Sequence, residues 1–489
     1  MRIQNMEMLQ NHGNKVGRVH VAQMLEAGMN MVDSYIGASR LISRKDNWLI
    51  FDGKEFEMDN DPRSGTAKYD LDKFDRVIVI GAAKGVQRCA ILLEEVLGEY
   101  LTGGHVIGKH GDDIICKKIG VTLAGHPIPD QMCVEGCKKI HEWIKDINEK
   151  DLIITIAGSG VSSLMTWPIA GFTIDDLRNL THMMQIEKGA LTKDLNAIRN
   201  HLDRFKGGKI LRYMKKATIV NLATNDLGGA SWSSPGIRET YEELMKGNRF
   251  LPTIADSTTF QQAVEAFHKY DAWNRIPKHI QKFFTTADPN EETVKMDEYE
   301  KMNSRLFKLT SRINTIYPAV IKKAEQFGYN AYILSDTITA EAVEAGKVIS
   351  SIALNIQNMN QPLKKPCVLI SSGELIVTVG KENGVGGRNQ EFCTAAALRI
   401  AGSSKIVIGS ADTDGTDGPG GFIVDGVRTC LAGAIVDGYT CQEAAEKNIN
   451  LEASLKRHDT SSDLWDLGCG IKSTQSISAL DLRIVAIME

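Results

Sequence analysis

Three short β-branched runs, each closed by glycine or a polar turn, constrain what this chain can fold into more than any other feature. They are "RVIVIGAAKG" (Arg76 to Gly85), "DLIITIAGSG" (Asp151 to Gly160) and "KATIVNLATNDLGG" (Lys216 to Gly229). A run that is apolar at nearly every position has no wet face, so it reads as a strand buried on both sides, the habit of parallel sheets covered by helices. The first run is followed by the helix-favouring "VQRCAILLEEVLGEYL". The sequence therefore predicts an α/β protein whose first part is a doubly wound, Rossmann-like parallel sheet.

Between about Tyr241 and Arg312 the chain turns charged and helix-favouring, with no strong strand. From Tyr317 onward the alternation returns, with strand-like "AYILSD", "CVLISSGE", "LIVTVG", "KIVIGSAD" and "LRIVAIME". A chain of 489 residues exceeds a single typical core, so two domains are expected. The expected division is a Rossmann-like domain over 1–260, a helical connecting segment over 261–304 and a C-terminal mixed α/β domain over 305–489, whose last strand is free to return to the first domain. The active site is expected in the cleft between them.

Composition narrows the partners. A formal net charge of -4 gives no broad attraction for nucleic acid or an acidic membrane, so an anionic partner must be caught locally. The nine cysteines are odd in number and scattered in apolar stretches, which suits reduced thiols. Cys133 and Cys137 lack the further Cys/His cluster that zinc would need. Neither a signal peptide nor a run of roughly 18 apolar residues is evident, so a cytoplasmic protein is expected.

In an open α/β sheet ligands collect beyond the carboxyl ends of the strands. "GAAKG" lacks the spaced glycines of a dinucleotide fingerprint, and the chain has no Walker A segment. What it offers is Lys84 at a strand-to-helix turn, either a surface lysine or an anion contact. "AGSGVSS" supplies Gly158, Ser159, Gly160 and Ser162, small residues that let a phosphate or carboxylate approach backbone N–H groups, or simply a tight turn. His126 in "GHPIPD" either touches substrate or belongs to a structural turn. "NAIRNHLDRFKGGKI" clusters Arg199, His201, Arg204, Lys206 and Lys209, for which a charged helix face is the usual explanation. Asp226, just past a strand, is placed to hold Mg²⁺ or to accept a hydroxyl proton.

In the second half, "GVGGRNQEF" sets Gly386, Gly387, Arg388 and Asn389 at a helix start, where guanidinium and helix N-terminus point at one oxygen-rich ligand. "GSADTDGTDGPGG" places Asp412, Asp414 and Asp417 in a loop after a strand. Its spacing excludes a calcium EF-hand, since Ile423 stands where the closing glutamate belongs. The aspartates either hold Mg²⁺, bind hydroxyls and basic groups, or shape the loop as Asx-turns.

The ordered segments "VIVIGAAKG", "GHPIPD", "AGSGVSSLMTWP", "IRNHLDRFKGG", "SSGELIVTV", "GVGGRNQE", "ADTDGTDGPGG" and "DLRIVAI" resemble the type II glycerate 2-kinases, also labelled MOFRL and often misnamed hydroxypyruvate reductases. The resemblance spans nearly the whole chain and implies ATP- and Mg²⁺-dependent phosphorylation of the 2-hydroxyl of D-glycerate or a related small sugar acid. It implies Lys84, Arg388 and Asp226 as catalytic residues. Gly158, Ser159, Gly160, Ser162, His126, Arg199, Gly386, Gly387 and Asn389 are expected at substrate or phosphate, and Asp226, Asp412, Asp414 and Asp417 at metal. A sugar acid and a nucleotide are the expected small-molecule partners, with a homodimer as a further expectation.

The chain departs from the family pattern at its loops. Ala157 and Ser159 replace a serine and a glycine, Ala230 stands where a second acid is usual, an insertion runs from about 231 to 250, and "KSTQSIS" replaces a glycine-rich turn. These changes motivate an alternative, a sugar-acid binding or regulatory protein that has lost phosphoryl transfer. An oxidoreductase ranks last, because the dinucleotide spacing is missing.

Overall fold

The computed structural model describes residues 1–226, 240–381, 384–418, 421–424, 426–474, 476 and 481–489. They form two compact units, one holding 34–226 and 240–309, the other 1–33 together with the described residues from 310 onward.

The first unit opens with a small antiparallel sheet of β1 (Ile42–Lys45), β2 (Trp48–Phe51) and β3 (Ala67–Asp70). Its main sheet is built from β4 (Arg76–Ala82), β5 (Gly103–Lys109), β6 (Gly120–Ala124), β7 (Asp151–Ala157), β8 (Thr218–Ala223) and β9 (Ser304–Lys308). The order is β6-β5-β4-β7-β8-β9 and every pairing is parallel. The chain winds outward from β4 to β6, then returns to lay β7, β8 and β9 on the other side. The winding reverses between β4 and β7, and that is where an open α/β sheet leaves a crevice for a ligand.

Period-2 alternation sends Ile78, Ile80 and Ala82 into one apolar layer and Val77 and Val79 into the other. Each such side chain, fully removed from water, contributes roughly 1.5–3 kcal/mol. The expected parallel sheet is thus present, with three further strands whose own sequences do not announce them. β5 "GGHVIGK" is interrupted by glycines and His105, β6 is short, and β9 "SRLFK" lies within the stretch expected to be strand-free.

The second unit contains β10 (Asn330–Ile338), β11 (Cys367–Gly373), β12 (Ile406–Asp412), a hairpin of β13 (Phe422–Val424) and β14 (Val427–Thr429), β15 (Gly433–Asp437), β16 (Gly470–Ile471) and β17 (Asp481–Ile487). Its mixed sheet runs β10-β11-β17-β12-β15-β16, with β10 and β11 parallel and the other neighbours antiparallel. The final strand therefore does not return to the first domain. It lies between β11 and β12, and its register sets Asp481 beside both Gly373 and Asp412.

Two further expectations differ from the fold. Residues 1–33 pack with the C-terminal sheet: the helix Lys15–Asn30 buries Val21, Leu25 and Met29 in the same core as Val407, Ile435 and Leu482. An apolar helix face does not state which sheet it will cover. The segment "LIVTVG" forms no strand beyond a single bridge from Ile376 to Glu341, because the Glu341 carboxylate takes the backbone N–H and hydroxyl of Thr378 where a ladder would run.

Candidate active site

The loops after β4 and β7 are stitched together. The Lys84 N–H donates to the Ser159 carbonyl at 2.7 Å. Gly85 and Gly160 take left-handed backbone, with φ of 65° and 86°, each opening a helix. A Cβ placed on Gly160 would stand 3.1 Å from Lys84 Cγ and 3.1 Å from His126 Cδ2. Lys84, Gly160 and His126 therefore meet at the winding reversal.

His126 arrives from β6 through Gly125 and is half-buried. Burial first, then the charges of Lys84, Lys109 and Arg199, push its imidazole down to about 4, so it is neutral at ordinary pH. Ser162 accepts from Asn196 Nδ2 at 3.1 Å, while Asn196 Oδ1, Thr224 Oγ1 and Asn225 Oδ1 are buried without a hydrogen-bond partner among the described residues. Polar atoms left in that state mark a place that a ligand or water completes.

The basic cluster around Arg199 is not a solvated helix face. Arg199, His201, Lys206 and Lys209 are all buried. His201 bridges Glu292 at 2.9 Å, Lys206 donates to Thr166 at 2.6 Å and lies 3.4 Å from Asp203, and Lys209 bonds the His201 carbonyl. Arg199 differs from them. Among the described residues it reaches only neutral oxygens, Thr181 Oγ1 at 3.2 Å and Gln185 Oε1 at 3.4 Å, and burial pulls it down to about 10. A guanidinium out of water without a carboxylate beside it is costly unless an anion joins it.

Asp226 follows β8, half-buried, at the same carboxyl edge. Ala230 and residues 231–239 of the insertion lie outside the described residues, as do Gln475, Ile477 and Ser478 of "KSTQSIS".

In the second unit Arg388 opens the helix Arg388–Arg399 after extended Gly387. Its Nε donates to both oxygens of Asp481, at 2.9 and 3.0 Å, one terminal nitrogen lies 2.6 Å from Asp412, and the other is 3.6 Å from Glu374. Burial works against its charge, but Asp481, Asp412, Glu374 and Asp417 together raise its pKa. Asp412 is pushed well above the usual carboxylate range by burial and by the nearby Asp414 and Asp481 charges. Asp481, to which the sequence reading gave no role, is the hub, also accepting from Asn389 Nδ2 and Arg483.

Asp417 performs a capping task. Its carboxylate accepts from the N–H groups of Asn389 and Gln390 and from both of their side-chain amides, capping the helix from a distant loop. Gly387 admits it, since a Cβ there would overlap the Asp417 carboxyl, and Gly386 packs likewise against Thr460. Asp414 folds an Asx-turn onto Thr416. Among the described residues no group of three or more His, Cys, Asp or Glu is arranged to hold a metal. Mg²⁺ asks less of a protein, one or two carboxylates with the remaining positions on water and phosphate. Asp226 in one unit and Asp414 in the other are carboxylates of that kind, whereas the bonds already on Asp417 tie it to the helix start.

A domain of unknown function, DUF4147, matches residues 20–285, and the MOFRL family matches residues 367–478. The glycerate 2-kinase of Pyrococcus horikoshii is 30% identical over 449 residues, covering 91% of each chain. The chain belongs to the glycerate 2-kinase family. The D-glycerate 2-kinase of Thermotoga maritima is 29% identical over 79% of this chain and 84% of its own. A solved protein structure from Pyrococcus horikoshii OT3 superimposes with a TM-score of 0.76 over 96% of this chain and 97% of its own, at 28% identity. A solved glycerate kinase from Thermotoga maritima gives 0.75 over 95% and 98%, at 25% identity. The expected two-domain α/β fold and phosphotransferase class are those of this family. No described helix is long and apolar enough to cross a membrane.

Proposed function

We propose that this glycerate 2-kinase family member transfers the terminal phosphoryl group of ATP, with Mg²⁺, to the 2-hydroxyl of D-glycerate or a closely related sugar acid. The observation that supports the reading best is Arg199, buried without a carboxylate among the described residues and close enough for its charge to be felt at His126, which meets Lys84 at Gly160; the Lys84 ammonium likewise has no partner among the described residues. Two uncompensated cations beside a glycine loop suit phosphate oxygens on which charge shifts during transfer.

Phosphoryl transfer asks the protein mainly to position groups and to neutralise charge. Lys84 supplies a fixed ammonium, Arg199 a planar fork, and the neutral His126 imidazole a hydrogen bond. Gly158, Ser159, Gly160 and Ser162 let the anion approach closely. Asp226 orients the acceptor hydroxyl and takes its proton. Arg388, held by Asp481 and Asp412, offers its remaining nitrogen beside Glu374 to the substrate, and Gly386, Gly387 and Asn389 fix the helix that carries it. Mg²⁺, when bound, would shield the phosphate oxygens; Asp226 in one unit and Asp414 in the other are each carboxylates of the kind that would hold it, and Asp412 holds the neighbouring Arg388. The working protein is cytoplasmic and has a sugar acid and a nucleotide as partners.

A second reading has one observation in its favour. Arg388 is already ion-paired to two aspartates, so this site could bind a sugar acid without transferring phosphate. Release of ADP from ATP and Mg²⁺ on addition of D-glycerate, tartronate, erythronate or threonate supports the kinase. Saturable acid binding with no ADP release supports the binding protein.

A further inference from the structure

The carboxyl edge of β5 carries a lysine that the family pattern did not single out. Lys109 is the last residue of β5 and pairs with Ala124 of β6, two residues before His126. The His110 N–H donates to the Ala124 carbonyl at 3.0 Å, which holds the two strand ends in register. Alternation along β5 puts Lys109 on the face of Ile107, whose side chain shares a core with Val161 and Leu164 of the β7 loop. Lys109 thus rises from the face on which Lys84, Gly160 and His126 meet, and no carboxylate pairs with its ammonium among the described residues. Gly108, pointing the other way, faces Gln87 and Asp112.

Lys84 and His126 thus meet at Gly160, Lys109 closes the strand paired with the one that leads to His126, and the charges of Lys84, Lys109 and Arg199 are all felt at that imidazole. A monocarboxylate would leave two of them uncompensated in a partly dry site, which burial penalises. A phosphate chain carrying three or four negative charges matches the set.

We propose that Lys109 completes, with Lys84, Arg199 and His126, a polyphosphate site at the β4/β7 winding reversal, so that this unit grips the phosphate chain of the nucleotide and not the carboxylate of the sugar acid. The identity of the natural ligand rests on the kinase reading; the binding of a phosphate chain does not.

The test is calorimetric titration of inorganic tripolyphosphate and, separately, of D-glycerate into the full-length protein and into Lys109→Gln, with Lys109→Arg as rescue and Lys139→Gln as surface control. Melting temperatures establish that each variant is folded. Tripolyphosphate should bind about tenfold more weakly to Lys109→Gln, with a shallower salt dependence, while D-glycerate affinity is unchanged and Lys109→Arg recovers most of the loss. Equal tripolyphosphate affinity in wild type and Lys109→Gln, no tripolyphosphate binding to the wild type, or loss of glycerate binding in its place would each overturn the proposal. Tripolyphosphate binding lost in Lys109→Gln, in a protein that releases no ADP with any acid, would keep the phosphate site and remove the kinase reading.

Discussion

The backbone N–H of Lys84 donates to the carbonyl of Ser159 at 2.7 Å, which fixes the turn after β4 against the loop after β7 through main-chain atoms alone. Truncating the side chain leaves this bond in place. Lys84→Ala should lower kcat/KM about 10²- to 10³-fold with a melting temperature close to wild type, because it removes a charge and no packing. Steady-state kinetics and a thermal melt on one preparation check both halves.

Gly160 separates strain from contact. Its φ of 86° already disfavours a side chain, and a Cβ would press on Lys84 and His126 at 3.1 Å. Gly160→Ala should cost about 1–2 kcal/mol of stability and also lower activity by at least tenfold. Gly189 is the control: its φ is 63°, but nothing lies within 4 Å of its Cβ position. Gly189→Ala should show a similar stability cost with activity retained.

Removing Arg388 should be a stability experiment as much as a kinetic one. Asp481 and Asp412 would lose their shared cation, and a carboxylate left unpaired in such a place is expensive. Arg388→Ala should destabilise by about 3 kcal/mol in urea denaturation, and Arg388→Lys by less. Asp417→Ala should also destabilise, through the uncapped helix start, by about 2 kcal/mol.

The histidine contribution to stability should fall on mild acidification. Burial comes first among the causes that hold His126 and His105 down to about 4 in the fold, whereas an unfolded histidine titrates near ~6.5. Between those values the unfolded chain binds more protons, so the stabilisation is complete above the unfolded pKa and is lost as pH falls toward the folded one. The buried carboxylates Asp412 and Asp417, held above the usual range, act with the opposite sign, so the test is differential: from pH 7 to 4, in buffers without phosphate or sulfate, the melting temperature of the wild type should lose ground relative to that of His126→Gln.

Chelation distinguishes a catalytic metal from a structural one. The described residues include no cluster able to hold an ion by themselves. Excess EDTA should therefore leave the melting temperature within a degree or so while abolishing turnover, and added Mg²⁺ should restore it.

The sequence made the frame legible where burial is written locally. β4, β7 and β8 are near-continuous β-branched runs, and their carboxyl ends carry Lys84, the Gly158–Gly160 turn and Asp226. β5 was hidden by its glycines, and Lys109 with it. Arg199 and its neighbours resembled a wet helix face because charged residues usually are wet; their burial comes from packing by the remote 260–286 segment and from partners such as Glu292. Asp417 resembled a metal ligand because the N–H groups it caps lie 28 and 27 residues earlier in the chain. Asp481 was silent for the same reason, since only the insertion of β17 between β11 and β12 brings it to Arg388.

Transfer of phosphate to the 2-hydroxyl leaves a product that can be identified outright. The most direct measurement is ³¹P and ¹H NMR of the product formed from ATP, Mg²⁺ and D-glycerate, with Lys84→Ala in parallel. The expected product is 2-phosphoglycerate with the wild type and essentially none with the variant. Formation of 3-phosphoglycerate, equal product from Lys84→Ala, or no phosphorylated acid from any of the small sugar acids would contradict it.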